Sequence, residues 1–185
     1  MKTLLLYLLT GTALFAQVTT KIEIAGFTMP ESLIGTPWLT VTNFAAPNKE
    51  AHLGVGIGYR APSFKVDIYI YDALEKEWIG LPIKERVQKE IETVPNVFDA
   101  MVKKNLYSDV KINQQDVQTF GGIEYTHLEI QFSDQKMGEL ISHYFLANVK
   151  DRVLKIRLSR SPDSDPKIVP QIMKEISDAL KSGQS

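Results

Sequence analysis

The sequence predicts an α+β domain, with an antiparallel β-sheet of about six to eight strands flanked by a central helix and a C-terminal helix. Short stretches that alternate apolar and polar residues fill most of the chain and are separated by turn residues, as antiparallel strands require. Two longer stretches instead repeat apolar residues every three or four positions, which is the helical pattern. Since strands and helices come in the order strands, helix, strands, helix, we expect both helices to pack on one sheet.

The first residues have the pattern of an export signal. Lys2 gives a short basic start, an apolar run ends at Ala16, and Gln17 begins a polar stretch. We therefore expect residues 1–16 to be a signal peptide and residues 17–185 to form a single domain that is periplasmic or secreted. The apolar run is too short to span a bilayer. The chain has no cysteine, so neither disulfides nor a thiolate metal site is expected.

Four strands are predicted before the central helix, over residues 20–27, 37–44, 53–60 and 65–72. The last two flank a short loop, which predicts a hairpin. Pairing Arg60 with Lys65 places all the apolar residues of this hairpin on one face, which supports that register. The other face then pairs three glycines with three larger residues: Gly58 with Asp67, Gly56 with Tyr69, and Gly54 with Tyr71.

Apolar residues at helical spacing predict the central helix over 83–102, with a kink at Pro95 or a break near Thr93. Strands follow over residues 109–117, 123–132, 140–149 and 153–159. A final helix is predicted over 168–180, with Asp165 as its cap and Pro166 at its start.

The glycine row on the hairpin needs a physical reason, because glycine weakens a strand interior. One interpretation is packing, with tyrosine rings or the central helix lying close against the bare backbone. The other is a shallow groove floored by the glycines and walled by Tyr69 and Tyr71, with Arg60 and Asp67 as polar groups at its open end. Such a groove suits a flat or apolar ligand or a partner peptide.

The sequence contains few signs of catalysis. Strand phases predict that His127 and His143 point to opposite faces of the sheet, so no metal site is expected. The glycine-rich segment does not match a nucleotide-binding motif, and the sequence has no nucleophile elbow. With 21 basic and 22 acidic residues, the net charge of −1 excludes nucleic-acid binding by bulk electrostatics. The basic residues near the last strand predict the solvated side of an edge or one-sided strand, or a positive stripe facing acidic polymers or lipid headgroups.

Three features, in this order along the chain, resemble the PsbP-like superfamily of small secreted bacterial domains. They are the glycine-rich strand 54–60, the strand 66–72 that ends in Tyr71 and Asp72, and the late strand pair 143–149 and 153–159 before the terminal helix. The resemblance spans residues 22–180 and is architectural, so it carries over no site residue. It implies an antiparallel sheet with one helix between two groups of strands and another at the C-terminus. It also implies a non-enzymatic accessory or binding role.

We therefore expect an exported, non-catalytic binding or accessory module of the bacterial cell envelope that needs no cofactor. Its candidate binding surface is Arg60, Asp67, Tyr69 and Tyr71, and its partner is an envelope protein or a small apolar ligand. Two alternatives stay open. A carrier of a small apolar ligand or lipid would need a cavity enclosed between sheet and helix, and a hydrolase would use His127 or His143 beside a carboxylate or serine.

Overall fold

The structure is a computed structural model that describes residues 21–24, 26–44 and 51–182, so the predicted signal peptide lies outside the described residues. Within them, ten strands and two α-helices form. The strands are β1 (Lys21–Ile24), β2 (Phe27–Pro30), β3 (Ser32–Leu33), β4 (Thr36–Asn43), β5 (Val55–Arg60), β6 (Phe64–Tyr71), β7 (Tyr107–Phe120), β8 (Ile123–Asp134), β9 (Gly138–Val149) and β10 (Arg152–Arg160). The helices are α1 (Ile83–Lys103) and α2 (Ile168–Ser182), and short 3-10 turns lie at Ala51–Leu53 and Lys76–Trp78.

Eight of the strands form one antiparallel sheet in the order β3-β4-β5-β6-β10-β9-β8-β7, while β1 and β2 form a separate hairpin. The pairing of β6 with β10 joins the first half of the chain to the second in the middle of the sheet. The predicted α+β class, with one antiparallel sheet and two helices, is confirmed.

Helix α2 and the β1–β2 hairpin cover one face of the sheet. The apolar side chains of α2 at Ile172 and Ile176 are fully buried in a cluster that includes Ile68 and Ile156 from the sheet. The Asp165 side chain accepts a hydrogen bond from the backbone N–H of Lys167 at 2.9 Å, which fits its predicted role as cap.

Helix α1 packs on the opposite face, against the half of the sheet formed by β7 to β10. Val87, Ile91, Val94 and Phe98 form its buried stripe. The helix continues through Pro95, so the predicted break near Thr93 does not occur. We attribute this to the apolar stripe, which anchors the helix to the sheet on both sides of the proline. Tyr71 at the end of β6 belongs to the same buried cluster as this stripe, and Tyr69 packs against that cluster.

Strand β10 pairs with β6 on one side and β9 on the other, and both faces of the sheet are covered, so its prediction as an edge or one-sided, solvated strand is wrong. The side chain of Lys155 is only 18% exposed and Arg157 is half-buried. Within the part of the chain that the structure describes, neither helix is both long enough and apolar enough to cross a membrane.

Candidate ligand pocket between helix α1 and the sheet

The hairpin of β5 and β6 has the register that the sequence predicts, from Arg60 opposite Lys65 to Val55 opposite Ile70. Gly58 therefore faces Asp67 and Gly56 faces Tyr69, as predicted. Gly54, however, precedes the strand and adopts a left-handed backbone with φ +60°. A Cβ atom there would lie 1.9 Å from the carbonyl oxygen of Ile70, so close backbone approach explains this glycine.

Neighbouring side chains cover the two glycines inside the strand. A Cβ atom on Gly56 would lie 2.9 Å from Cε2 of Phe44, whose ring centroid is 6.3 Å from that of Tyr69. A Cβ atom on Gly58 would lie 2.8 Å from the hydroxyl oxygen of Thr40 and 3.2 Å from Nη1 of Arg60. The glycines therefore let side chains close over the backbone, as the packing interpretation expects, although Phe44, Thr40 and Arg60 join the Tyr69 ring there and helix α1 does not. The predicted groove floored by these glycines does not form.

A pocket opens beside Phe44, where the cover provided by α1 ends. Its volume is about 300 Å³, at the lower end of the range for small-molecule sites. Side chains from both halves of the chain line it, and most are apolar or aromatic: Phe44, Leu53, Tyr69, Tyr71, Leu74, Val94, Val97, Tyr144, Lys155 and Arg157. The pocket thus lies between helix and sheet, with Tyr69 and Tyr71 in its wall.

The structure separates the four predicted surface residues into two pairs. Tyr69 and Tyr71 line the pocket, whereas Arg60 and Asp67 lie outside its lining. Nη2 of Arg60 is 2.5 Å from Oδ1 of Asp67, and Nζ of Lys65 is 3.2 Å from Oδ2 of the same carboxylate. Arg60 also donates hydrogen bonds to the backbone, so these charges mainly hold the hairpin together.

Both tyrosines of the pocket resist ionisation. Burial, followed by the charge of Asp67, raises the pKa of Tyr69 above its usual value. Burial and the nearby Glu90 carboxylate raise the pKa of Tyr71 well above its usual value. At neutral pH both phenols therefore keep their protons and present neutral O–H groups.

Two cationic side chains reach the pocket from β10. Nζ of Lys155 lies 3.5 Å from Oε2 of Glu90, a fully buried residue of α1 whose other oxygen accepts the backbone N–H of Leu74 at 3.1 Å. The Arg157 guanidinium lies over the Tyr144 ring, 5.5 Å from its centroid. The Nε–H of Arg157 is buried and has no hydrogen-bond partner among the described residues.

The two histidines lie elsewhere, and their predicted separation is wrong. Nε2 of His127 is 3.2 Å from Nδ1 of His143, because both side chains point to the α2 face of adjacent strands. Asp116 contacts His127 at 2.7 Å, and Glu129 lies 3.5 Å from His143. The prediction failed because residues 142–147 of β9 are all buried, so the apolar pattern does not identify an inward face.

The two imidazoles of this cluster are buried, whereas the Asp116 carboxylate at its edge is 35% exposed. His127 and His143 are 2% and 5% exposed, and the ring of His127 stacks on Phe145 with centroids 4.5 Å apart. Among the described residues, no group of three or more histidine, aspartate or glutamate side chains is placed to hold a metal ion. The cluster lies on the face of the sheet opposite to the pocket, and its contacts are those of a hydrogen-bond network that stabilises the fold.

Sequence reasoning identified two of the pocket residues and missed the others. Val94 was assigned to the buried stripe of α1, and Lys155 and Arg157 to a solvated surface. The alternation of Lys155 and Arg157 with apolar residues was visible, but it gave no sign that helix α1 would cover that side of β10. Phe44 and Leu53 join the pocket only through tertiary structure.

The architecture of this chain occurs in solved structures, although the sequence comparisons found no match. No protein-family model matches the chain, and no curated protein matches it. The chain is similar to the solution structure of PsbP from the cyanobacterium Synechocystis sp. PCC 6803, with a TM-score of 0.50 and 11% identity over 92% of this chain and 96% of that chain. It also matches the Saccharomyces cerevisiae Ran-binding protein Mog1p, with a TM-score of 0.43 and 12% identity over 86% of this chain and 93% of that chain. At these identities the likeness concerns the fold, and the PsbP-like architecture expected from the sequence is confirmed.

Proposed function

We propose that this protein is an exported, non-catalytic binding module of the bacterial cell envelope, and that it takes a small, largely apolar ligand into the pocket beside α1. The observation that carries the proposal is the pocket itself. Its lining is mainly apolar and aromatic, it has the volume of a small-molecule site, and it lies between helix and sheet. The location fits a carrier of an apolar ligand, but the pocket is open to solvent and not enclosed, since Leu74 and Val97 in its wall are 40% and 47% exposed.

The lining favours binding over catalysis. Among the described residues that form it, none is a histidine, serine or carboxylate, and the amine of Lys155 is paired with the buried Glu90. Tyr69 and Tyr71 have raised pKa values and are poor bases at neutral pH. The alternative hydrolase would use His127 or His143, but both are buried on the other face of the sheet.

The ligand site is tested by filling the pocket from the helix side. Val97 lines the pocket and is 47% exposed, so a larger residue there can be accommodated in the fold. We expect Val97→Trp to weaken binding of the neutral apolar dye N-phenyl-1-naphthylamine by about tenfold, measured by fluorescence titration. Val102→Trp is the matched control, because Val102 is on the same helix, is 40% exposed and lies outside the pocket lining. Equal dye affinities of the two variants would contradict the proposed site.

Export is tested separately in a bacterial host. The basic and apolar pattern of residues 1–16 supports cleavage after Ala16, so the mature protein should begin at Gln17 and be recovered outside the cytoplasm. Leu8→Arg interrupts the apolar run and should keep the chain in the cytoplasm, whereas Thr19→Arg should not. Recovery of the uncleaved wild-type chain from the cytoplasm would refute export without bearing on the pocket.

A further inference from the structure

We propose that the ligand is an amphipathic anion, namely a medium-chain carboxylate whose head group binds Arg157 and whose hydrocarbon part lies against α1 and Phe44. This inference rests on the proposed function, since it specifies which small apolar ligand the pocket accepts. It is based on the two cationic side chains that line the pocket, since a purely apolar ligand would need no charged partner.

The sheet places two cations together on the pocket side. Lys155 and Arg157 are two residues apart on β10, so their side chains leave the same face, with Cα atoms roughly 6.6 Å apart. Their partners across β6 are Tyr69 and Asp67. Because β10 is central and α1 covers the neighbouring strands, both cations are held in a largely desolvated region, where a bound anion is screened less by water.

The carboxylates nearby do not neutralise both cations. Glu90 pairs with Lys155, and Asp67, which is opposite Arg157 in register, pairs with Arg60 and Lys65. Among the described residues, no carboxylate oxygen forms an ion pair with the Arg157 guanidinium. The carboxylates of Glu90 and Asp67 are thus accompanied by four cations, namely Lys155, Arg157, Arg60 and Lys65. The excess positive charge includes the Arg157 side chain, which lines the pocket.

Two aromatic side chains hold the guanidinium of Arg157 in place. Tyr107 and Tyr144 lie beside it, and its Nε–H is buried. The side chain lines the pocket without a paired carboxylate among the described residues. A carboxylate can accept two parallel hydrogen bonds from an arginine side chain, so an anionic head group in the pocket would balance this charge.

The remaining lining accounts for the apolar part of the ligand. Phe44, Leu53, Leu74, Val94 and Val97 supply only hydrocarbon and aromatic surface. A volume of about 300 Å³ limits the ligand to a short or medium chain. The chemistry that fits both ends is a carboxylate carrying a single hydrocarbon chain.

Three probes with the same chain and different head groups test this inference: octanoate, 1-octanol and octylamine. Each is titrated into wild-type protein at pH 7.5 by isothermal calorimetry. We expect octanoate to bind at least about tenfold more tightly than octanol, and octylamine to bind most weakly. This comparison needs no variant, so it stays decisive if a substitution prevents folding.

A variant then assigns the preference to a residue. Arg157→Met keeps the apolar stem of the side chain and removes the charge, so it should reduce the preference for octanoate over octanol to less than about threefold while leaving octanol binding unchanged. Lys167→Gln is the control, because Lys167 is exposed at the start of α2, on the other face of the sheet, and it should retain the full preference.

The outcomes separate this inference from the proposed function. Octanol binding as tightly as octanoate, or full octanoate preference in Arg157→Met, would overturn the anionic ligand and leave an apolar pocket. Binding of N-phenyl-1-naphthylamine without binding of octanoate would also overturn it. Failure of the dye and of all three probes would overturn the proposed function as well.

Discussion

Replacing His143 with asparagine should make the stability of this protein less dependent on pH between 7.5 and 5. The buried imidazole faces His127, Glu129 and Arg160. Burial lowers the pKa of His143 to about 4 from the ordinary value of 6.5. The charge of Glu129 partly offsets this shift, and His127 and Arg160 add to it. Asparagine places a polar atom near the position of Nδ1, which contacts His127, and does not titrate.

The direction follows from proton binding. Between pH 6.5 and 4 the unfolded chain binds a proton at His143 that the folded protein excludes, so the free energy of unfolding rises with pH. The stability associated with His143 is complete above pH 6.5 and is lost as the pH falls toward 4. With these two pKa values, the loss between pH 7.5 and 5 is about 2 kcal/mol.

Urea denaturation at the two pH values measures this effect. Wild-type protein should lose about 2 kcal/mol more unfolding free energy than His143→Asn when the pH is lowered from 7.5 to 5. Circular dichroism at pH 7.5 verifies that the variant is folded. If both proteins lose the same free energy, the buried neutral histidine is not the source of the pH dependence.

Two further substitutions test local packing, with urea denaturation as the measurement. Gly54→Ala should lower the free energy of unfolding by at least about 3 kcal/mol, because the added Cβ meets the Ile70 carbonyl and the backbone has φ +60°. Gly80→Ala is the control and should change it by less than about 0.5 kcal/mol, because a Cβ there meets nothing within 4 Å. Similar losses for the two glycines would contradict the close approach. Ser177→Ala should cost about 1–3 kcal/mol, because the buried Ser177 hydroxyl donates to the Met173 carbonyl and accepts the Tyr125 hydroxyl at 2.9 Å. An unchanged unfolding free energy would show that this hydrogen bond contributes nothing.

Local patterns were sufficient to predict the hairpin and both helices. The register of β5 and β6 could be derived because only one pairing puts Val55, Ile57 and Tyr59 on the same side as their apolar partners. The stripe of α2 was visible for the same reason, since one face of this helix is apolar along its whole length.

Features that depend on distant parts of the chain were not predictable from these patterns. An alternating strand such as β10 has the same appearance whether its polar side faces water or the underside of a helix, so Lys155 and Arg157 were assigned to solvent. On β9, apolar residues occupy both faces, and the side of His143 could not be inferred. Most of the pocket therefore became visible only with the pairing of β6 and β10 and the position of α1.

Methyl-labelled NMR with added octanoate tests most directly whether the pocket beside α1 is the ligand site. Leu53, Leu74, Val94 and Val97 line the pocket, and their methyl signals should shift together and saturate with one octanoate per chain. Methyl groups on the α2 face, such as those of Ile172, should stay in place. Shifts confined to the α2 face, or saturation without any change at these four residues, would contradict the account.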